Sequence, residues 1–498
     1  MTVLLTRDHC PDQALLQLPD RVIQIGEGNF LRGFVDWMIH QLNKHQLFCG
    51  RIVVVAPRPT GRANIERLNA QDGLFTVWLR GVREGVKVDE RDIVSSVSRG
   101  IDPYQQWDEF LACAENPTIE IVVSNTTESG IQYIREDYQE GVPLQSFPGK
   151  LTAYLLHRYN HFQGAATAGM TIVPCELLDD NGDRLRDVVL QHARDWGLPA
   201  AFREWVQQHN HFCNTLVDRI VTGFPTGDDA HELLAQLPYR DALVTVGEPF
   251  HLWVVEADER LRTLWPFEQI GLNVAYVSDI RPYRTQKVRI LNGLHTAMCA
   301  AGMLLGVQTV REAVNHPVVG PFVHRMLDEE IVPTLLASRV VSDRSGIEQF
   351  AAAVFDRFEN PFIRHELKSI ALNGLSKIRV RLLPTVTEFH RHSGRIPVLL
   401  TAAFATQLLF YREAAGAQEV QDDPALLERV SAIWRSEPDI GLRPVVEKLL
   451  GDPALWGEDL NQIDGFCEAV VDFMMQTRAH GLETALESLV STVRQTST

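Results

Sequence analysis

No stretch of this chain is apolar for long enough to cross a bilayer. The longest such run, VLLTAAFATQLLFY at 398–411, falls short of the roughly 20 residues a spanning helix needs and is interrupted by Thr and Gln. The opening MTVLLTRDHC has only a brief apolar run before its charges, which is neither a signal peptide nor an anchor. The expectation is a cytoplasmic protein. Cysteine is sparse: Cys10, Cys49, Cys113, Cys175, Cys213, Cys299 and Cys467 are odd in number and scattered, which argues against a disulfide framework or a zinc site. Positive charge is in deficit, with 47 Lys and Arg against 64 Asp and Glu and a net charge of -17. Nucleic acid and anionic membrane surfaces would repel such a chain, so neither is an expected partner. Low-complexity tracts and internal repeats are also missing, which removes disorder and solenoids from consideration.

What is present suits a two-domain globular enzyme, since 498 residues exceed one typical core and 45% of them are hydrophobic. Apolar, β-branched runs occupy the first half: RVIQI at 21–25, RIVVVA at 51–56, IEIVVSN at 119–125, MTIVPCE at 170–176, HLWVVE at 251–256 and LNVAYVS at 272–278. Strands apolar on both faces belong in a parallel sheet covered by helices. We therefore expect a doubly wound, Rossmann-like α/β domain over 1–280. Beyond it the pattern changes to amphipathic segments at 287–305, 309–337, 346–358, 361–383, 396–414 and 464–495, so 281–498 is expected to be a mostly helical domain. Pro282 marks the junction. A monomer or a small homo-oligomer fits this composition.

The first strand runs into GEGNFLRG. Glycines there allow close backbone approach, and the following helix offers N–H groups and a positive dipole end to a pyrophosphate. The spacing departs from G-x-G-x-x-G because Leu31 stands at the third position, so a plain glycine turn is the competing interpretation. Candidate cofactor-binding residues are Ile25, Gly26, Glu27, Gly28, Asn29, Phe30 and Arg32. The second strand ends without the acid that would hold an NAD ribose and offers Arg58 instead, leaving NAD and NADP both open. Asn125, Thr126 and Glu128 follow the third strand, where ligands of open sheets bind.

KVRILNGLH places Lys287, Asn292 and His295 at the start of a helix. At 100° per residue, Asn292 and His295 stand about 140° and 80° around from Lys287. A ketone receiving hydride needs a proton donor, and the reverse reaction needs a base. One lysine serves both if burial and a helix N-terminus bring its pKa down from about 10.4. Asn292 would donate to the developing oxyanion and His295 would orient a hydroxyl. By residue type alone, an exposed Lys, a helix Asn and a core His is the commoner arrangement. A zinc site has its best support in His390 and His392 of EFHRHSG. That pair lacks ligand-spaced partners and reads as a solvated loop, so no metal is expected.

The K-x-x-x-x-N-x-x-H pattern after Pro-Tyr does not stand alone. With QIGEGNFLRGF, NTTESG, VPCELLDDNGD, NTLVDRIV, GEPFHLWVVE and RFENPFIRHELKSIALNGLSK, it resembles the long-chain mannitol dehydrogenase family over most of the chain. Those enzymes are zinc-independent polyol and hexuronate oxidoreductases. The resemblance implies NAD as cofactor, Lys287 as acid/base, and Asn292 and His295 on the reacting carbonyl and neighbouring hydroxyls. It also implicates Asp218 in the substrate pocket, with Arg219 beside it. Two departures bear on the substrate. Cys175, Glu176 and Leu177 stand where polyol-specific members carry C-D-N, and Arg284 stands where they carry Glu. A guanidinium in place of an acid favours an anionic substrate, a hexuronate or aldonate, whose carboxylate it can bind in bidentate fashion. Arg364, His365 and Lys368 are further candidates for substrate contacts. A catalytically silent dinucleotide-binding sensor is the alternative from another class, and the intact Lys-Asn-His set speaks against it.

Overall fold

The computed structural model describes residues 3–227, 230–257, 259–341, 343–414 and 420–491. Two compact units are formed, residues 1–80 with 87–280 and residues 81–86 with 281–498.

The strands are β1 (Asp20–Ile25), β2 (Arg51–Val55), β3 (Phe75–Arg83), β4 (Val86–Val94), β5 (Val97–Ile101), β6 (Ile121–Ser124), β7 (Thr171–Pro174), β8 (His211–Phe212), β9 (Thr215–Asp218), β10 (Val221–Gly223), β11 (Thr245–Gly247), β12 (Leu252–Glu256) and β13 (Val274–Val277). Six of them make a parallel sheet in the order β5-β2-β1-β6-β7-β8. Burial on both faces explains why β2, β6 and β7 read as unbroken apolar runs. Along β1 and β2, Val22, Ile52 and Val54 join one core layer, and Ile23, Ile25, Val53 and Val55 join the other. The chain leaves β1 toward β2 on one side and returns to β6 on the other. Their carboxyl ends therefore flank a topological switch point, with Ile25 in register with both Val55 and Ser124.

Two of the expected strands lie elsewhere. β12 and β13 form a separate sheet in which β9 runs antiparallel to β12. A further sheet, β10-β11-β3-β4, was not legible in advance, nor was β5 in the main sheet. The β3–β4 hairpin turns at Glu84 and Gly85, both with positive φ (52° and 72°), the pairing that two-residue hairpin turns require.

From Arg281 onward the described elements of the second unit are all helices. A continuous helix opens it, as Arg281–Lys287, a π turn at Val288–Asn292, and Gly293–Leu304. Pro282 lies in the first turn, where its missing N–H costs nothing. Gly293–Leu304 packs on Val398–Ala414, which packs in turn on Phe466–His480. The apolar run at 398–411 is thus a buried central helix. Its first N–H groups, at Leu399 and Leu400, donate to the Glu330 carboxylate at 2.8 and 2.7 Å. The segment expected as one helix over 361–383 is broken into Leu367–Ala371 and Gly374–Arg381, with Asn373 between them at φ 52°. EFHRHSG lies on the helix Leu383–Ser393 instead of in a loop. Among the described residues no helix is long and apolar enough to cross a membrane.

Candidate active site

The first unit presents its glycine turn at the switch point, and each glycine there meets a different need. Gly26 has φ 138°, and a methyl group on it would lie 2.8 Å from Leu31 Cδ1 and 3.0 Å from the Asn125 carbonyl, so the β1 and β6 turns touch across it. A methyl group on Gly33 would lie 2.9 Å from Val221 Cγ1, which makes that glycine a helix–strand contact. Gly28 differs. It is exposed, its φ is -74°, and a methyl group there would meet nothing within 4 Å. It caps the helix that runs as Asn29–Leu31, a π turn at Arg32–Asp36, and Trp37–Lys44. Turn, open approach and close packing are the three roles of a dinucleotide fingerprint, here divided among Gly26, Gly28 and Gly33.

The other residues expected on the cofactor fall into two groups. Arg32 is buried and braces the turn, donating to the Glu27 carbonyl at 2.5 Å, to Thr245 Oγ1 at 3.0 Å and to Asn29 Oδ1. Glu27 turns its carboxylate toward Gly61, and burial raises its pKa against the opposing pull of Arg32 and Arg58. Phe30 stacks on Phe34, and Ile25 is buried at the end of β1. Asn29, Arg58 and Glu128 are exposed. Asn125 donates through Nδ2 to the Cys175 carbonyl at 2.6 Å. Thr126 is bound through both its N–H and its hydroxyl to Glu176, each at 2.9 Å.

Asp218 is buried at the end of β9. Arg219 serves as an internal clamp: Nε donates to the Glu248 carbonyl and a terminal nitrogen to the Gly33 carbonyl, each at 2.8 Å, while the guanidinium lies 4.4 Å over the Trp37 ring. Those bonds tie it to the glycine helix.

In the second unit, the π turn resolves the angular mismatch of the Lys-Asn-His set. The Gly293 N–H reaches the Val288 carbonyl five residues back, so the turn holds one residue more than an α turn. Asn292 and His295 therefore stand from Lys287 as the fourth and seventh residues of a regular helix would, within about 40° of it. One face carries all three. Lys287 and Asn292 are half-buried and His295 is buried. Arg289, between them, points the other way and is bound to Thr385 Oγ1 at 2.8 Å and to Glu388 at 3.2 Å, anchoring the turn.

His295 packs against Phe358 and His365, with ring centroids at 4.6 and 4.9 Å. Its Nε2 is buried and has no hydrogen-bond partner among the described residues. Burial first, then the electrostatic influence of His365 and of the cationic Arg357, Arg381 and Lys377, hold its pKa well below the ordinary value, so the ring is neutral. Burial and Arg357 likewise lower His365. Arg381 reaches the same helix through Thr296 Oγ1 at 3.4 Å. Of the basic residues expected to bind substrate, Arg284 is half-buried one turn before Lys287. Arg364 and Lys368 are not drawn in. They are 66% and 75% exposed and share Glu366, at 3.1 and 2.8 Å. Arg357, Lys377 and Arg381 were passed over, although Arg357 and Lys377 lie within the quoted RFENPFIRHELKSIALNGLSK. No group of His, Cys, Asp and Glu among the described residues is arranged to hold a metal.

A parallel sheet with a glycine turn at its switch point, followed by a helical unit bearing a Lys-Asn-His face, defines an oxidoreductase of the Rossmann type acting on CH–OH groups. The chain belongs to the mannitol dehydrogenase family: the family's Rossmann domain matches residues 20–266 and its C-terminal domain residues 279–477. It is 44% identical over 471 residues to the altronate oxidoreductase of Bacillus subtilis, covering 95% of each chain. It is 42% identical over 478 residues to that of Escherichia coli K12, covering 95% of this chain and 97% of the relative. Among solved structures, D-sorbitol dehydrogenase in substrate-free form shares the fold at a TM-score of 0.77 and 22% identity, over 95% of this chain and 96% of that one. The Pseudomonas fluorescens mannitol 2-dehydrogenase ternary complex with NAD and D-mannitol does so at 0.66 and 22% identity, over 96% of each.

Proposed function

We propose that the protein is an NAD-dependent altronate oxidoreductase, interconverting D-altronate and D-tagaturonate in hexuronate catabolism without a metal. The observation that carries the sugar-acid reading is the positive charge of Lys377 and Arg381 bearing on the buried His295 ring, whose Nε2 has no hydrogen-bond partner among the described residues. A neutral polyol has no charge to match Lys377 and Arg381, whereas an aldonate carboxylate does. The full-length relatives named for altronate point the same way.

The open backbone at Gly28, at a helix N-terminus and beside the switch point, fits a dinucleotide pyrophosphate. A nicotinamide cofactor held by the turn at 26–29 would supply the hydride acceptor for oxidation of the substrate's carbinol carbon. The protein handles the proton. Lys287, as the general base, takes it from the hydroxyl as the carbonyl forms, and returns it in reduction. Asn292, on the same helix face, donates its amide N–H to the oxygen that carries negative charge in the transition state. His295 is held neutral and can therefore accept from or donate to a neighbouring hydroxyl according to tautomer. Arg284, a turn before Lys287, would bind the carboxylate.

The deciding experiment is a substrate screen with purified enzyme, following absorbance of the reduced cofactor with altronate, mannonate and mannitol and with NAD and NADP. Altronate with NAD should give the highest kcat/KM. Faster turnover of mannitol would overturn the role given to the cations, and preference for mannonate would make the enzyme a fructuronate reductase.

A further inference from the structure

We infer that Glu176 is a positioning residue for the dinucleotide site, fixing the Asn125–Thr127 turn in the form that receives the cofactor. The inference rests on the dinucleotide reading above. Glu176 follows β7, the neighbour of β6 in the sheet, and its carboxylate reaches across to the β6 turn. One oxygen accepts from Ser124 Oγ at 3.0 Å, and the other accepts from the Thr126 N–H and hydroxyl, each at 2.9 Å. Beside it the Cys175 carbonyl accepts from Asn125 Nδ2 at 2.6 Å. Two adjacent residues after β7 thereby hold three consecutive residues at the end of β6.

The arrangement is costly in a way that a simple packing role would not require. Glu176 is 2% exposed, and no Lys, Arg or His among the described residues forms an ion pair with it. A buried carboxyl group without a counter-charge is tolerated only where its hydrogen bonds are needed. Directly after the clamp, Thr127 adopts φ 79° and ψ 165°, a region that only glycine enters readily. Such a conformation persists when the surroundings over-determine it, and the bonds to Thr126 do so here. Gly130 adds to this, since any side chain there would collide with the Thr126 hydroxyl. The strained residue is exposed, at the carboxyl edge of the sheet, beside the Asn125 carbonyl that packs on Gly26. Strain, clamp and open backbone meet at the switch point, where pre-organisation of a ligand-binding turn has its use.

The test measures NADH binding by fluorescence titration of the full-length protein, together with thermal melting and steady-state kinetics. Glu176→Ala removes all three acceptor bonds and should raise the NADH Kd at least tenfold, while the altronate KM at saturating NAD stays within twofold. Glu176→Gln keeps an oxygen for Thr126 and gains an amide that can donate to Ser124, so it should bind within threefold of wild type. Thr127→Gly relieves the strain and should melt higher yet bind NADH several-fold more weakly, because the turn is freed; this variant decides the matter if Glu176→Ala does not fold. Lower melting of Glu176→Ala with unchanged Kd, together with wild-type binding by Thr127→Gly, would reduce Glu176 to a structural residue and overturn the inference. Wild-type protein that binds neither NADH nor NADPH would instead refute the dinucleotide reading, and this inference with it.

Discussion

Replacing Gly28 with Ala separates a glycine kept for a ligand from glycines kept for the fold. At Gly28 the backbone has φ -74° and ψ 167°, which alanine adopts freely, and the added methyl meets no atom within 4 Å. The folding cost is that of a poorer helix cap, from a few tenths to about 1 kcal/mol. At Gly33 the same methyl would press to 2.9 Å from Val221 Cγ1 and 3.1 Å from Thr245 Cγ2. Overpacking of that kind costs about 1–3 kcal/mol. If a pyrophosphate lies against Gly28, the methyl there displaces it at a similar cost, which corresponds to roughly a 5- to 150-fold loss of cofactor affinity. Melting curves and NADH titrations on both variants give opposite patterns: Gly28→Ala should melt close to wild type and bind poorly, and Gly33→Ala should melt lower by about 2–4 °C per kcal/mol. Wild-type affinity in Gly28→Ala would refute the placement of the pyrophosphate at this turn.

Lys287→Ala should lower kcat by about 10²- to 10⁴-fold with NADH binding unchanged in titration, and near-normal turnover would remove it from the acid/base role. Arg364→Ala/Lys368→Ala, which deletes an exposed pair of cations on Glu366, should leave kcat/KM for altronate within twofold. Arg381→Ala should raise the altronate KM and spare a neutral polyol; equal losses for both substrates would indicate structural damage. His295 has a folded-state pKa depressed below its unfolded value of about 6.5, so the stability it contributes is present above that pH and is lost as pH falls below it. His295→Leu should accordingly show a flatter loss of melting temperature between pH 7 and 5 than wild type does.

The strands β1, β2, β6 and β7 were legible because both of their faces are buried, leaving apolar residues at nearly every position. VSRGI of β5 carries a polar pair in its middle and gave no such signal, although it occupies an edge of the same sheet. The glycine turn and the KVRILNGLH set were found by motif, but their geometry was not. A 3.6-residue period cannot register a π turn, and the helix wheel therefore spread over one whole side of the helix three side chains that the π turn brings closer together. The basic residues could not be sorted by face for a related reason. With 361–383 taken as one helix, the inward and outward faces could not be told apart. The break at Leu372 and Asn373 leaves Arg364 and Lys368 on Glu366 in solvent, while Lys377 and Arg381 bear on His295. At Glu176 and Leu177 the sequence showed a missing amide. The structure shows a carboxylate turned inward and a leucine 62% exposed.

The π turn before Gly293 also bears on how this helix tolerates insertions and deletions. Removing one residue from Val288 to Leu291 would let the bulge relax into a regular α turn, and Lys287, Asn292 and His295 would then stand four and three positions apart on a single face. Removing a residue between Asn292 and His295 would rotate the histidine about 100° away from its partners. The helix therefore contains one interval whose length is negotiable and one whose length is fixed. Single-residue deletions in the first should retain measurable turnover, and those in the second should not.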